Sequence, residues 1–330
     1  MAAWHPLLLG PPAQPSSSRR WAKLGEFGLI EALTPLLGGQ DDERILIGAG
    51  DDAAVLRIKT GHVVVSTDVM VEGRHFRREW AEAQDVGHRA AAQNLSDINA
   101  MGGRATALTV GLAAPAGLPV EWALDFVRGV VAEAALVGAS VVGGDLTRAD
   151  QIVISITALG ACTIAPVLRS GAEPGDVLAL AGRQGWAAGG LAVLGRGFRS
   201  PRALVEAYRR PEPPYDEGVR AAEAGATSMI DISDGLLAEA GHLADASGVA
   251  IDVRSAAFTV PEPLQAVGSA LGADPLGFIL GGGDDHALLA TFSEASAVPS
   301  GWSVIGTVRE GAGVTVDEEA YDGPTGWTHF

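Results

Sequence analysis

The chain has 330 residues, of which 47% are hydrophobic and 19% charged, with 44 glycines. That length can bury the cores of two lobes, and the glycine content suits an α/β enzyme rich in tight turns rather than a disordered or fibrous protein. With 23 basic and 40 acidic side chains the net charge is −17, which argues against a general nucleic-acid binder, and a single cysteine, Cys162, excludes an internal disulfide framework and a cysteine metal site.

In chain order, MAAWHPLLLGPPAQPSSSRR has a short apolar run with no basic region ahead of it. Residues 1–24 are therefore expected to form a disordered Pro/Ser-rich extension, not a signal peptide. A short amphipathic helix is expected in GEFGLIEALTPLL. Strand-like runs cover 44–47, 53–58 and 62–67, the last two separated by the turn Lys59-Thr60-Gly61. A helix is predicted over 85–101, ended by Gly102-Gly103. Residues 105–113 read as a strand, and 119–137 as a helix with Leu124, Val127 and Val131 on one apolar face. Strands at 139–144 and 151–160 complete the first half, and Cys162, just beyond, reads as a small buried residue.

RSGAEPGD, 169–176, has the Gly and Pro density of a connection. Strand 177–181, helices near 186–195, 201–209 and 215–224, strand 227–232, helix 234–246 and strand 249–254 follow. Strands at 285–292 and 302–308 come near the end. No apolar run reaches the length of a membrane span. The pattern predicts an α/β protein with mixed sheets in two lobes, 25–165 and 166–330, soluble and cytoplasmic.

Acids recur at junctions beside Gly, Ser or Thr: Asp51 and Asp52 in GAGDDA, Asp68 in VVVSTD, Asp97 in NLSD and Asp145 in VVGGD. The second half adds Asp231 and Asp234 in IDISDG, and Asp284 and Asp285 in GGGDD. NLSD before GGD and DISD before GGGDD form a loose echo between the halves. Any one of these acids reads as a turn residue or cap, Asp85 and Asp234 most of all. Together they exceed what caps require. Most follow an apolar strand, where strand ends open as a cleft. Converging carboxylates would have to take up protons or hold divalent cations, and oxygen-only ligands select Mg²⁺.

Phosphoryl transfer from a nucleotide is the leading chemistry for such a set. A Walker loop and the signatures of protein kinases are absent. GAGDDA satisfies GxGxxA after a strand, but two acids there would oppose a bare pyrophosphate. Arg169 and Ser170 are candidates for a phosphate contact, with an ordinary surface arginine as the alternative. His75 in VEGRHF reads as a substrate contact or a plain loop histidine. Trp327 in GWTHF reads as a stacking platform or as packing on the body of its lobe.

GEFGLI, IGAGDDAAVL, VVVSTDVMVEGRHF, AAQNLSDINAMGG, VVGGDLTR, RSGAEPGD, MIDISDGLLAEAGHLA and GGGDDHALL occur in the order seen in the thiamine-monophosphate kinase family. The chain resembles that family from about Gly25 to its last residue. The resemblance implies the two-lobed fold of the aminoimidazole-ribonucleotide-synthetase-like superfamily, with the N-terminal lobe forming a β-barrel across a homodimer. It implies direct in-line transfer from ATP to thiamine monophosphate, without a phosphoenzyme, using several Mg²⁺ ions and K⁺. By motif, the metal ligands would be Asp52, Ser66, Thr67, Asp68, Asp97, Asp145, Asp231 and Asp234, with Asp51 in support. Gly144, Asp145, Arg169 and Ser233 would contact ATP. His75, Asp284 and Trp327 would face thiamine monophosphate. No general base is implied, because the attacking phosphate oxygen is already ionised.

The family's usual GGEDYEL is GGGDDHAL here, so Asp284 stands for a longer Glu, His286 for Tyr and Ala287 for a second acid. The shorter carboxylate is expected to reach substrate through water. Alternatives are a synthetase of the same superfamily, of the aminoimidazole-ribonucleotide or selenophosphate type, and a non-catalytic nucleotide- or metal-binding scaffold. The lone Cys162, in a strand-like run, disfavours the selenophosphate type, and the retained acids disfavour the scaffold.

Overall fold

Two six-stranded sheets, one after the other along the chain, organise the fold. The computed structural model describes residues 45–47, 54–58 and 61–327. The helix expected in GEFGLI, the extension 1–24, Asp51 and Asp52 lie outside the described residues. Both sheets belong to one compact unit, Gly39–Trp327.

The first part of the chain runs β1 (Ile45–Ile47), β2 (Ala54–Ile58), β3 (Gly61–Val71), α1 (Ala83–Ala100), β4 (Arg104–Ala114), α2 (Val120–Leu136), β5 (Ser140–Arg148) and β6 (Val153–Cys162). The sheet order is β1-β2-β3-β6-β4-β5, antiparallel except for the parallel pair β4–β5. In β6 the inward residues Ile154, Ile156, Ala158 and Cys162 are buried, as period-2 alternation requires. They share a core with Ala90, Ala91, Leu95 and Ile98 of α1. Burial of Leu95, Ile98, Ile154 and Ile156 contributes about 1.5–3 kcal/mol each.

A capping box starts α1: Glu82 is the N-cap, and its backbone N–H donates to Asp85 Oδ2 at 3.1 Å. Asp85 is thus a capping residue, inside the first turn. Helices α1 and α2 cross through two glycines. A Cβ on Gly87 would stand 2.1 Å from the Phe126 carbonyl oxygen, and one on Gly129 would stand 2.1 Å from that of Gln84. No larger residue fits either position.

The second part runs β7 (Val177–Ala181), α3 (Trp186–Gly195), α4 (Arg202–Arg209), α5 (Glu217–Glu223), β8 (Ser228–Asp231), α6 (Leu236–Ser247), β9 (Ala250–Val253), α7 (Glu262–Leu271), α8 (Pro275–Gly281), β10 (Leu288–Phe292), β11 (Ser303–Arg309) and β12 (Gly313–Val316). The order is β12-β9-β11-β7-β10-β8, with only β12–β9 parallel. All five residues of β10 are buried, as befits a strand flanked on both sides. Among the described residues no helix is long and apolar enough to cross a membrane.

Two strands outrun their sequence expectation. β3 continues to Val71 because β6 pairs with it as far as Val153, and β5 continues to Arg148 beside Ala114 of β4. Asp68 and Asp145 consequently lie within strands, and Asp97 lies within α1, so among the described acids of these motifs only Asp231 closes an apolar strand. Helices α7 and α8 had no counterpart in the sequence reading. Their prolines suggest loops but occupy the first turn, where a missing N–H costs nothing.

Candidate active site

Asp231 ends β8 and is 3% exposed. The chain then passes Ser233 and Asp234 before entering α6. The sequence suggests Asp234 as the helix cap, but Gly235 holds that position and Glu239 does the capping from within the helix. Glu239 Oε1 accepts the Asp234 N–H at 3.1 Å and the Ser233 hydroxyl at 3.4 Å, while Oε2 accepts the Gly235 N–H at 2.9 Å. Burial, then the Asp234 charge, pushes the Glu239 carboxyl up to about 8.

The GGGDDHAL turn lies along this segment. Asp284 N–H donates to Ser233 O at 2.9 Å, and His286 N–H to Ile232 O at 3.2 Å. Both residues are left-handed, with φ of 66° and 54°. His286, 4% exposed, places Nδ1 3.0 Å from Asp231 Oδ2. Burial works against its positive charge, but the hydrogen bond and charge of Asp231 outweigh it and raise the imidazole pKa. Between these two residues Asp285, 3% exposed, accepts the Ala187 N–H at 3.0 Å, and burial pushes its carboxyl up to about 7.

From the first sheet, Asp68 N–H donates to Asn94 Oδ1 at 3.1 Å, and Ser66 Oγ donates to Asp97 Oδ2 at 2.5 Å. The Asp68 side chain is partly buried. Burial, then the charge of Asp231, raises its pKa, with His286 acting in the opposite sense. Helix α1 packs on both β3 and β8, so the strand of Asp68 and the strand of Asp231 lie against one helix.

Arg89 of α1 borders the same junction. Its guanidinium pairs with Asp284 Oδ2 at 2.7 Å, donates to Tyr208 O at 3.0 Å and lies 4.5 Å from the centre of the Tyr208 ring. Trp327 N–H donates to Asp234 O at 3.0 Å, and its exposed ring lies 5.6 Å from the Arg74 guanidinium. His75, next to Arg74, accepts the Val71 N–H on Nδ1 at 2.9 Å.

Other candidates lie apart from this group. Thr67 Oγ1 is 2.8 Å from Thr157 Oγ1 on the opposite face of β3 from Ser66 and Asp68. Strand register places Gly144 level with Asp68 across β6 and β4, three strand spacings or about 14 Å away. Asp145, one residue on, shares the face of Thr67. Gly144 and Asp145 line a cavity of about 460 Å³ with Phe126, Val127 and Val130 of α2. Arg169 O accepts the Ser247 hydroxyl at 3.2 Å, at the end of α6.

The donors Ser66, Asp68, Asp97 and Asp231 supply only oxygen, which fits Mg²⁺. Carboxylates gathered this closely favour a bound cation over bare negative charge. Among the described residues, no three acids or histidines already stand in metal-holding geometry. Three contributors carried no sequence signal: Arg89, Glu239 and His286 as the partner of Asp231.

Two mixed six-stranded sheets bridged by α1 define an α/β protein of the AIR synthase type. The AIR synthase related protein N-terminal domain matches residues 50–162, and the corresponding C-terminal domain matches 173–318. The chain is 47% identical over 311 residues to thiamine-monophosphate kinase from Mycobacterium tuberculosis, covering 93% of this chain and 92% of that one. Thiamine monophosphate kinase from Aquifex aeolicus superposes with a TM-score of 0.82 at 32% identity, covering 92% and 99% of the two chains. The structure of AaThiL complexed with AMPPCP and TMP gives a TM-score of 0.87 at 33% identity, covering 96% and 100%. The chain belongs to the thiamine-monophosphate kinase family.

Proposed function

We propose that the chain transfers the γ-phosphoryl group of ATP directly and in line to the phosphate of thiamine monophosphate, giving ADP and thiamine diphosphate. A phosphate oxygen of the acceptor forms the new P–O bond as the bond to the β–γ bridging oxygen breaks, and ADP leaves with that oxygen. The acceptor is already anionic, so no base is required. The carrying observation is that α1, whose Asp97 accepts the Ser66 hydroxyl of β3, packs against both β3, with Asp68, and β8, with Asp231. The ligands named for AaThiL, AMPPCP and TMP, agree with this reading.

Mg²⁺, when bound, neutralises the triphosphate and its developing charge. Ser66, Asp68, Asp97, Asp231 and Asp234 would hold it, together with Asp52, while Thr67 and Asp145 serve from the other face of the first sheet. A separation of about 14 Å between the levels of Asp68 and Gly144 suits an extended triphosphate with several ions better than one shared ion. Gly144, Asp145, Arg169 and Ser233 are assigned to ATP, and K⁺ is a further cation of the reaction. His75, Asp284 and Trp327 are assigned to thiamine monophosphate, Trp327 by stacking on its rings.

The active unit is a cytoplasmic homodimer, with lobes dividing near 165/166 and the first sheets of two copies closing a barrel. Leu124, Val127 and Val131 of α2, and Val142 and Leu146 of β5, support this: all five are exposed, Leu146 to 78%. Purified full chain incubated with ATP, Mg²⁺ and thiamine monophosphate should yield thiamine diphosphate. No product above a metal-free control overturns the proposal.

A further inference from the structure

His286 departs from the usual tyrosine of its motif and is used by none of the roles assigned so far. Its imidazole is buried at 4% exposure beside Asp231 at 3%, so water cannot easily replace it as a partner. A buried imidazole without a hydrogen bond would be costly, and Nδ1 meets that need on Asp231 Oδ2 at 3.0 Å. With Asp231 ionised the carboxylate only accepts, so the proton resides on Nδ1.

The backbone holds this arrangement against its own preference. His286 adopts φ 54°, a conformation unusual for a residue other than Gly, Asn or Asp. Hydrogen bonds on both sides fix it: His286 N–H to Ile232 O at 3.2 Å, and Ile232 N–H to Ala287 O at 2.8 Å. The imidazole is thereby carried to Asp231 at the end of β8.

We propose that His286 is a positioning residue for Asp231. Its Nδ1–H fixes carboxylate oxygen Oδ2 and leaves Oδ1 as the oxygen available to a divalent cation. The inference rests on the metal-dependent transfer proposed above and adds a residue that acts through one of its ligands. Hydrogen bonds to ligating carboxylates fix their orientation, and losing one typically costs 10–100-fold in metal affinity.

The test is Mn²⁺ titration of the full chain without nucleotide, followed by the free-ion electron paramagnetic resonance signal. Thermal unfolding without metal is measured alongside. His286→Ala is expected to weaken Mn²⁺ binding by about tenfold or more. His286→Asn, whose amide can donate from the Nδ1 position and tolerates a left-handed backbone, should stay within about threefold of wild type. In an Asp231→Asn background, His286→Ala should have no further effect. If His286→Ala does not fold, Asn against Gln decides, because the Gln amide lies one carbon too far out. Wild-type affinity in Ala, or in Gln where Ala fails to fold, overturns the proposal. So does an Ala effect undiminished in the Asp231→Asn background. Should wild type make no thiamine diphosphate while the Mn²⁺ pattern holds, the transfer reading falls and the positioning role stands.

Discussion

Arg89, buried on α1, reaches Asp284 Oδ2 at 2.7 Å, tying a helix of the first sheet to a left-handed turn of the second. The Asp284 side chain remains 41% exposed, so Arg89 orients it without closing it off. The carboxylate, one carbon shorter than the usual Glu, has its direction set by this pair. Arg89 donates from two different nitrogens of its planar fork, to Tyr208 O and to Asp284, a span that the single nitrogen of a lysine does not reproduce. Arg89→Met and Arg89→Lys should each raise KM for thiamine monophosphate about tenfold while changing kcat less. Steady-state kinetics check this, and an unchanged KM in both would remove Arg89 from the substrate side.

Asp97 and Asp145 lie on opposite faces of the first sheet or its covering helix, yet both are assigned to the ions of one reaction. Asp97→Asn and Asp145→Asn should each lower kcat by about 100-fold or more, with unfolding midpoints near wild type. Near-normal turnover in both would mean that the metal set has been misplaced. Loss for Asp97→Asn alone would confine it to the helix-covered face.

Adjacent glycines in β5 make opposite predictions. A Cβ on Gly144 would stand 1.9 Å from the Val110 carbonyl oxygen, whereas one on Gly143 meets nothing within 4 Å. Gly144→Ala should cost about 1–3 kcal/mol through forced displacement of β5 from β4. Gly143→Ala should stay within about 0.5 kcal/mol. Urea unfolding of the pair distinguishes them, and equal stabilities would refute the close approach.

Asp285 gives stability a pH dependence. Burial raises its carboxyl from the ordinary 3.8 to about 7 in the folded chain. A raised carboxyl pKa means that the folded state holds the proton longer. The contribution is therefore full below pH 3.8 and is lost as pH rises through about 7. Its ceiling is about 4 kcal/mol. Asp285→Asn keeps an acceptor for the Ala187 N–H but cannot ionise, so its stability relative to wild type should improve between pH 5 and 8. Parallel urea midpoints for the two proteins across that range would contradict the burial argument.

Much of the architecture was legible because it is local. Alternation in β6, the apolar face of α2 and the Gly-flanked acids all repeat over a few residues. Strand length was not, since β3 and β5 extend only as far as their neighbours offer backbone partners. Among the site residues, the Asp motifs announced themselves by excess over what caps require. Arg89, Glu239 and His286 did not. Arg89 gains its meaning from Tyr208, 119 residues away, and His286 from Asp231, 55 residues away. Glu239 is a near neighbour of Asp234 but caps from an unusual position in the helix, so the usual pattern points to the wrong acid.

The glycine crossing of α1 and α2 has a mechanical consequence. With backbone pressed on backbone at Gly87 and Gly129, no pliable side chain separates the helices at that point to absorb a displacement. The spacing of α1, with Asn94 and Asp97, from α2, with the exposed Val127 and Val131, is thus set by main-chain contact. A side chain added at either glycine would therefore displace the helix that carries Asn94 and Asp97.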